Sequence, residues 1–535
     1  MATTEEKNTS TQEKRIPKKV HRLTMTLHFE HGLAAGNGAF GNEMLLARNG
    51  QNKLVLRGTA IAGVLRSAWR ENYGDNDKEY FGNVCGDTGI SSLVVTSDCV
   101  IATKQSHEMR RTHHLRCRHR GSVLKGGLYS MEIVPPNTEI TMTLWFNETT
   151  QTCCGYDFFQ KLAGLAEQGL IFGGSSNRGI GLAIGSNFQY GVYDFSQSEN
   201  KATEYARYLK DHYQWRMNSK SSEGTTSDVS FVPEKPAKWH EKNLKVKFSL
   251  TIPRGQDLLV SQGSSESGDA EPHRVKGADG KDYWLIPGST LHGLFRDWVS
   301  RLAAREDKVI ADSYENFTKH SDRTGEDIGW LFIGQEKKKG DETEQEKRER
   351  EKRQTQARKD FRKQNGFVCN KNMLEEDNCN EQARKQFRND YPVDHLFGSL
   401  YRSGRVHISD AIVPVTNSEQ STDELARVKD SEVQKRVHVA IDAISGGAIE
   451  HLLFENYVLV GNAKKPVFHF TMIVWDIDEK EAKWLVKTLR AIDIGLLRIG
   501  SSKSCGRLEL VEGSIKAEGH LAEKFTSLHL FNHHQ

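Results

Sequence analysis

The chain repeats itself. Gly58-Thr59-Ala60-Ile61-Ala62-Gly63-Val64-Leu65-Arg66 returns as Gly288-Ser289-Thr290-Leu291-His292-Gly293-Leu294-Phe295-Arg296. Three more anchors follow in the same order. Tyr80-Phe81-Gly82 pairs with Leu396-Phe397-Gly398, Gly127–Glu132 with Leu452–Asn456, and Gly174-Ser175-Ser176-Asn177 with Gly500-Ser501-Ser502-Lys503. Ordered anchors point to duplication, so the chain must fold as two related units. The spacing between the first two anchors is about 86 residues longer in the second copy, which therefore carries an insertion.

Within each copy the periodicity switches between strand and helix. Leu23, Met25, Leu27 and Phe29 alternate, as do Val246, Phe248, Leu250 and Ile252. After each Gly-Ser/Thr turn the apolar residues recur at helical spacing: Ile61, Val64, Leu65, Ala68, Trp69, and Leu291, Leu294, Phe295, Trp298, Val299, Leu302. Second helices are predicted over 158–168 and 479–492. The order predicts an α+β fold of two ferredoxin-like domains in tandem. We place a disordered N-terminus at 1–19, the first domain at 20–195, a polar connection at 196–240, the second domain at 241–520 and a tail at 521–535. The insertion, at about 314–392, includes a Glu/Lys/Arg/Gln run from Glu336 to Asp360 that cannot build a core; it is expected to be a solvated helix or arm.

Composition narrows the partners. Net charge is only +3, so any anion-binding surface must come from local clustering. No apolar run is long enough to span a bilayer, and the N-terminal stretch lacks the apolar core of a signal peptide. Eight cysteines without a CxxC pair suit reduced thiols in the cytoplasm. The stretch from His113 to His119 holds potential zinc ligands, but a basic hairpin is the stronger reading because no partner pair is evident.

The Gly-Ser/Thr helix starts offer backbone N–H groups that could seat phosphates through Thr59, Ser289 and His292, with Arg66 and Arg296 adding positive field. The late turns bring Ser175, Asn177 and Arg178 in one copy, and Ser501 and Lys503 in the other. Their spacing fits no P-loop or dinucleotide fingerprint. Basic residues Arg110, Arg111, Arg116, Arg118, Arg120 and Lys125 cluster in one stretch of the first copy, a surface for RNA phosphates.

The segments IPGSTLHGLFR, LFGS, VHISDA, HVAIDAISGGAIEHLLFENYVL and GSSKSCGRLEL resemble the RAMP-type backbone subunits of type III CRISPR effector complexes. The likeness covers most of 241–515 outside the insertion and, more loosely, 20–190; the double copy is similar to the tandem proteins of type III-D systems. The resemblance implies modified RNA-recognition-motif domains, each with a thumb hairpin that displaces guide bases at regular intervals. It implies guide RNA, target RNA and other CRISPR effector subunits as partners. The thumb of the second copy would start at Ile441, Asp442 and Ile444.

The resemblance also implies metal-dependent cleavage of target RNA, with a divalent cation, Mg by expectation, and an aspartate in the loop before the IPGS segment. Asp269 is the candidate and possible ion ligand, with Glu266, Glu271 and His273 as alternatives. Aligning Gly41-Asn42 with Gly268-Asp269 leaves the first copy with Asn42 at the matched place and Glu43 one residue off, so the second copy is expected to be the active one. The alternatives are a purely structural RNA-binding subunit and a guide-processing endoribonuclease, the latter disfavoured because no histidine pair is placed in the Gly-rich loops.

Overall fold

The computed structural model describes residues 17–40, 43–74, 76–85, 88–101, 109–116, 123–149, 155–173, 179–196, 201–216, 231–236, 239–261, 270–306, 388–389, 392–398, 404–415, 432–442, 444–461, 466–500 and 505–527, together with 345, 348, 349 and 352. Most of the charged insertion lies outside them.

The first copy is built on an antiparallel sheet with Lys19–Phe29 at its centre, flanked by Thr138–Glu148 and Leu182–Asp194. The alternation read from the sequence holds: Leu23, Met25, Leu27 and Phe29 are fully buried. They meet Ile61, Leu65 and Trp69 of the helix Gly58–Tyr73 and Phe158, Phe159, Leu162 and Leu165 of the helix Gly155–Gln168. The second copy repeats this plan. Leu244–Thr251 is central between Val467–Val474 and the pair Glu509–Leu510 and Lys516–Gly519. Its sheet is covered by Gly288–Glu306 and Glu479–Asp493, whose Leu291, Phe295, Trp484 and Leu485 are buried. Two ferredoxin-like α+β units in tandem are thus the architecture.

The polar connection carries structure of its own. Lys201–Arg216 is a helix whose Tyr208, His212 and Trp215 pack on Trp145. Tyr193 donates a hydrogen bond to Asp211 beneath it (2.5 Å). Composition hid this element because its aromatic residues occupy one helical face among charged neighbours. The far end of the insertion is anchored too: Arg388 pairs with Glu481, Asp476 and Asp478 at the capped start of the helix Glu479–Asp493. Among the described residues no helix is long and apolar enough to cross a membrane.

The copies share a dry junction. Arg111 of the first and Asp410 of the second form an ion pair (2.5 Å) with side chains 2% and 0% exposed. Around it, Asp410 N donates to Gly179 O, Ala278 N to Pro136 O, and Asn137 Nδ2 to the Tyr283 hydroxyl. Met109 packs against Val275, Tyr283 and Leu285.

Candidate nucleic-acid interface

The two helix starts are less open than their sequence suggests. Gly58 N donates to Asp98 Oδ1 (2.9 Å), and Gly288 N donates to Asp410 Oδ1 (2.8 Å). Each start thus already holds a carboxylate from its own chain, the charge a helix N-terminus attracts. Gly288 is glycine because a Cβ there would lie 2.1 Å from Ile408 O and 2.7 Å from the Gly179 Cα. Close packing, not phosphate approach, sets that residue. Of the expected phosphate contacts, Thr59 is exposed and Ser289 half-buried, whereas His292 is buried edge-on against Phe397 (5.3 Å). His292 therefore fills the core rather than meeting RNA, since it lies on the inward stripe of its helix.

Arg66 and Arg296 are also committed. Arg66 Nε contacts Asp77 Oδ2 at 2.5 Å, and Arg296 pairs with Asp394. Both aspartates lie just before the Phe-Gly anchors, so the repeated arginine ties the long helix to the short one that follows. Burial would raise the Asp77 carboxyl, but hydrogen bonds and charge from Arg70 and Arg66 outweigh it and hold it below its usual range. The positive field expected from these arginines is largely neutralised in place.

Each copy raises a hairpin from its sheet. In the first, Met109–Arg116 pairs antiparallel with Val123–Ile133. Its proximal cations are engaged: Arg111 in the junction, Arg110 with Glu43 and Glu132. Arg116 lies at the end of the strand and Lys125 on its partner, while Arg118 and Arg120 lie outside the described residues. In the second copy Val433–Ile441 pairs with Ala448–Val460. Val437, Val439 and Ile441 share one face with Leu453, all exposed, and Ile444 at the tip is 97% exposed. Asp442 closes the turn instead. Its Oδ1 accepts from Ile444 N and Ser445 N, and these bonds hold its carboxyl below the usual range. A ribbon that carries apolar residues into water marks a contact surface.

The backbone fixes how the copies correspond. Gly181 N donates to Gly32 O as Gly506 N donates to Asp257 O, and Ala47 N to Ala35 O as His273 N to Val260 O. These matches make Gly32 equivalent to Asp257 and Ala47 to His273. Counting back from the second pair sets Met44 opposite Ala270 and Glu43 opposite Asp269. The hairpins agree: Met44 bridges Met131 in parallel as Ala270 bridges Asn456. The sequence alignment with Asn42 was therefore one residue off, because loops of different composition left no local marker of register. The first copy has a carboxylate at the matched position.

Asp269, Glu266 and Asn42 lie outside the described residues. Ala270, next to Asp269, is held against the thumb strand by its bridge and by Tyr457 N donating to Ala270 O (2.9 Å). Glu43 is exposed, 3.5 Å from Arg110 Nη1. Glu271 is half-buried. His273 is buried at the junction; burial first, then the charges of Arg111 and His113, push its pKa down to about 3. A neutral, enclosed imidazole is a poor proton shuttle at neutral pH, which removes His273 as an alternative.

Ser175, Asn177, Arg178, Ser501 and Lys503 lie outside the described residues. The glycines that precede them serve packing: a Cβ on Gly173 or Gly500 would lie 2.2 Å from Ala34 O or Leu259 O. Among the described residues no three His, Cys, Asp or Glu side chains gather as a metal site. His113 stacks on Tyr129 (5.3 Å), while Cys117 and His119, the other zinc candidates of that segment, lie outside the described residues.

No curated protein matches this sequence. A chain of a solved structure described as "Cryo-EM structure of the Type III-B Cmr-beta bound to cognate target RNA" is similar at 10% identity, with a TM-score of 0.26, over 31% of this chain and 96% of that one. The sequence model of the RAMP superfamily matches residues 26–184 and 269–509, once over each copy and over well more than half of the chain: the protein belongs to the RAMP superfamily.

Proposed function

We propose that this chain is a guide-RNA-binding backbone subunit of a type III CRISPR ribonucleoprotein that also cleaves target RNA. One observation carries the reading: in both copies the segment that follows the candidate carboxylate is pinned to the thumb strand in the same register. Met44 and Ala270, the residues that follow Glu43 and Asp269 in the chain, hold equivalent places at the foot of the two hairpins. The apolar ribbon of the second thumb, Val437 to Ile444, offers bases a surface to pack against; the charges of Arg116, Arg118 and Lys125 in the first copy suit the phosphate backbone.

A target strand paired to the guide and interrupted at the thumb would present a phosphodiester beside this carboxylate. Asp269 or Glu43 would orient the neighbouring 2′-hydroxyl for in-line attack and accept its proton. The 2′-oxygen bonds to phosphorus as the P–O5′ bond breaks, leaving a 2′,3′-cyclic phosphate and a 5′-hydroxyl that takes its proton from water. One carboxylate per site fits a hard divalent cation that takes its other ligands from phosphate and water. Bound there, such an ion would stabilise charge on the phosphate oxygens. The correspondence of Glu43 with Asp269 removes the reason to expect a silent first copy.

The test is the ribonucleoprotein purified with guide RNA and given complementary target. Asp269→Ala should remove one cut, Glu43→Ala another, and EDTA both, with target binding retained. Cutting that persists at every position in Asp269→Ala/Glu43→Ala would leave a structural subunit with cleavage housed elsewhere. Failure of the wild-type chain to retain guide RNA would overturn the reading as a whole.

A further inference from the structure

The helix Lys201–Arg216, in the connection between the copies, carries apolar side chains on two sides. Its inner side, Tyr208, His212 and Trp215, is spent on Trp145. Its outer side presents Tyr205, Leu209 and Tyr213 at i, i+4 and i+8, exposed by 52%, 48% and 64%. Ala202 and Ala206 are exposed on the same side and leave room beside the larger residues for close approach. The residues that leave the helix, 217–230, hold only Met217 and Val229 as apolar side chains, too few to cover this stripe. A helix with apolar stripes on opposite sides is built to lie between two surfaces. Among the described residues, this chain supplies only the inner one.

The charge around the stripe has one sign. Both acids of the helix are engaged elsewhere: Glu204 pairs with Arg207 at 2.7 Å, and Asp211 accepts from the Tyr193 hydroxyl. Lys201 and Lys210 stand exposed beside the stripe. Exposed Lys18 extends the rim, because its carbonyl accepts from Phe195 N and Phe195 packs edge-on against Tyr205 (5.9 Å). Asp194, the acid nearest to Phe195 in sequence, is taken by Lys19. Among the described residues these three lysines therefore keep no acidic partner. The stripe also stands far from the first hairpin. Its floor, Val20 and Tyr193, lies at one end of the central strand Lys19–Phe29, and the hairpin enters the sheet at the other, where Phe29 pairs with Thr138. The strand between them spans about 30 Å.

We propose that the outer face of Lys201–Arg216 is a docking ridge for a different protein, whose matching surface is an apolar groove rimmed by Asp and Glu. Tyr205, Leu209 and Tyr213 enter the groove, the alanines let its walls approach, and the lysines meet its rim. A second copy of this chain fits less well: two such ridges face to face would set Lys201 and Lys210 against like charges. RNA fits less well too, because Leu209 interrupts the tyrosines and would stay unburied between stacked bases. The helix belongs to the connection, so the ridge occurs once per chain rather than once per copy. The proposal goes beyond the backbone reading and does not depend on it.

The experiment is fluorescence anisotropy of labelled probes on the full chain at low salt. The main probe is a synthetic helical hairpin with Leu and Ala lining the groove between its helices and Glu along the rim. A matched hairpin with Lys in place of each Glu, and a single-stranded RNA oligonucleotide, complete the set. The wild type should bind the Glu-rimmed hairpin about tenfold more tightly than the Lys-rimmed one, a preference that fades as salt rises past about 0.15 M. Leu209→Glu should weaken that binding by about tenfold or more, and Lys210→Glu by several-fold, with Lys210→Arg restoring it. Melting temperature and guide-RNA retention should match the wild type in all three, since these side chains point outward. Equal affinity for the two hairpins, or binding that ignores both Glu substitutions, would overturn the proposal. RNA binding that is lost in Leu209→Glu would hand the face to nucleic acid and overturn it as well. A dimer in sedimentation velocity that Leu209→Glu abolishes would do the same in favour of a second copy. Failure of the wild type to retain guide RNA would strike the proposed function and leave the hairpin result standing.

Discussion

The same arginine and the same aspartate lead different lives at the centre of this molecule and at its ends. Arg111 and Asp410 are sealed between the copies. Their counterparts by the backbone correspondence, Arg436 and Asp98, remain near water, each with a private partner, Asp257 and Arg57. A duplicated sequence does not give duplicated energetics: desolvation decides what an ion pair is worth, and only one of these environments is dry. The two thumbs diverge in the same way. The first spends its proximal cations on the junction and on Glu43, and the second carries an exposed apolar face.

Substitutions can break this comparison at several points. The largest effect is expected at the equivalent carboxylates. Asp269→Ala and Glu43→Ala should each lower cleavage at their own position by about 10²–10⁴-fold, read by target-RNA cleavage in the assembled particle. A much larger loss in one copy than the other would restore a functional asymmetry between them.

Next comes the junction. Arg111→Ala strands Asp410 as a buried carboxylate and should cost about 3–5 kcal/mol in chemical denaturation, whereas Arg436→Ala should cost about 0–1 kcal/mol. Equal losses would refute the contrast between the dry and the wet pair.

At the thumb tip, Ile444→Asp should weaken guide binding by about 1.5–3 kcal/mol, the worth of burying one isoleucine side chain, without changing the melting temperature, because that side chain is 97% exposed in the free chain.

A further test is pH. His31 and His273 are buried at or beside the junction, with pKa values pushed down to about 4 and about 3, burial being the main cause in both. For His31 the charge of Asp410 opposes that depression, and His407 and Arg111 reinforce it. Unfolded, both would titrate near 6.5 and bind protons that the folded state refuses. Their contribution to stability is therefore whole above pH 6.5 and is lost as pH falls toward and through 4 and 3. Thermal unfolding between pH 7 and pH 4 should show this slope, flattened in His273→Gln.

Much of the fold was legible in the residues. The ordered anchors announced two copies, and period-two and period-3.6 patterns marked Lys19–Phe29, Leu244–Thr251 and the helices that cover them. Burial on one face writes itself into sequence as periodicity. The helix Lys201–Arg216 escaped because its inward Tyr208, His212 and Trp215 stand among polar neighbours.

The site was harder to read. Sequence supplied the carboxylates and the hairpins, but the pairing of Glu43 with Asp269 depended on hydrogen bonds between segments far apart in the chain. A loop carries no period to fix its own register. His292, Arg66 and Arg296 looked available for RNA because sequence does not show which way a helix faces.

What the sequence determined by itself was the duplication, the α+β class and the residue types at hand, since these follow from local pattern. Tertiary structure alone decided which arginine is buried against which aspartate, which carboxylates are equivalent and which apolar residues stay in water. Those outcomes depend on desolvation and distance, and both are set only when remote segments pack together.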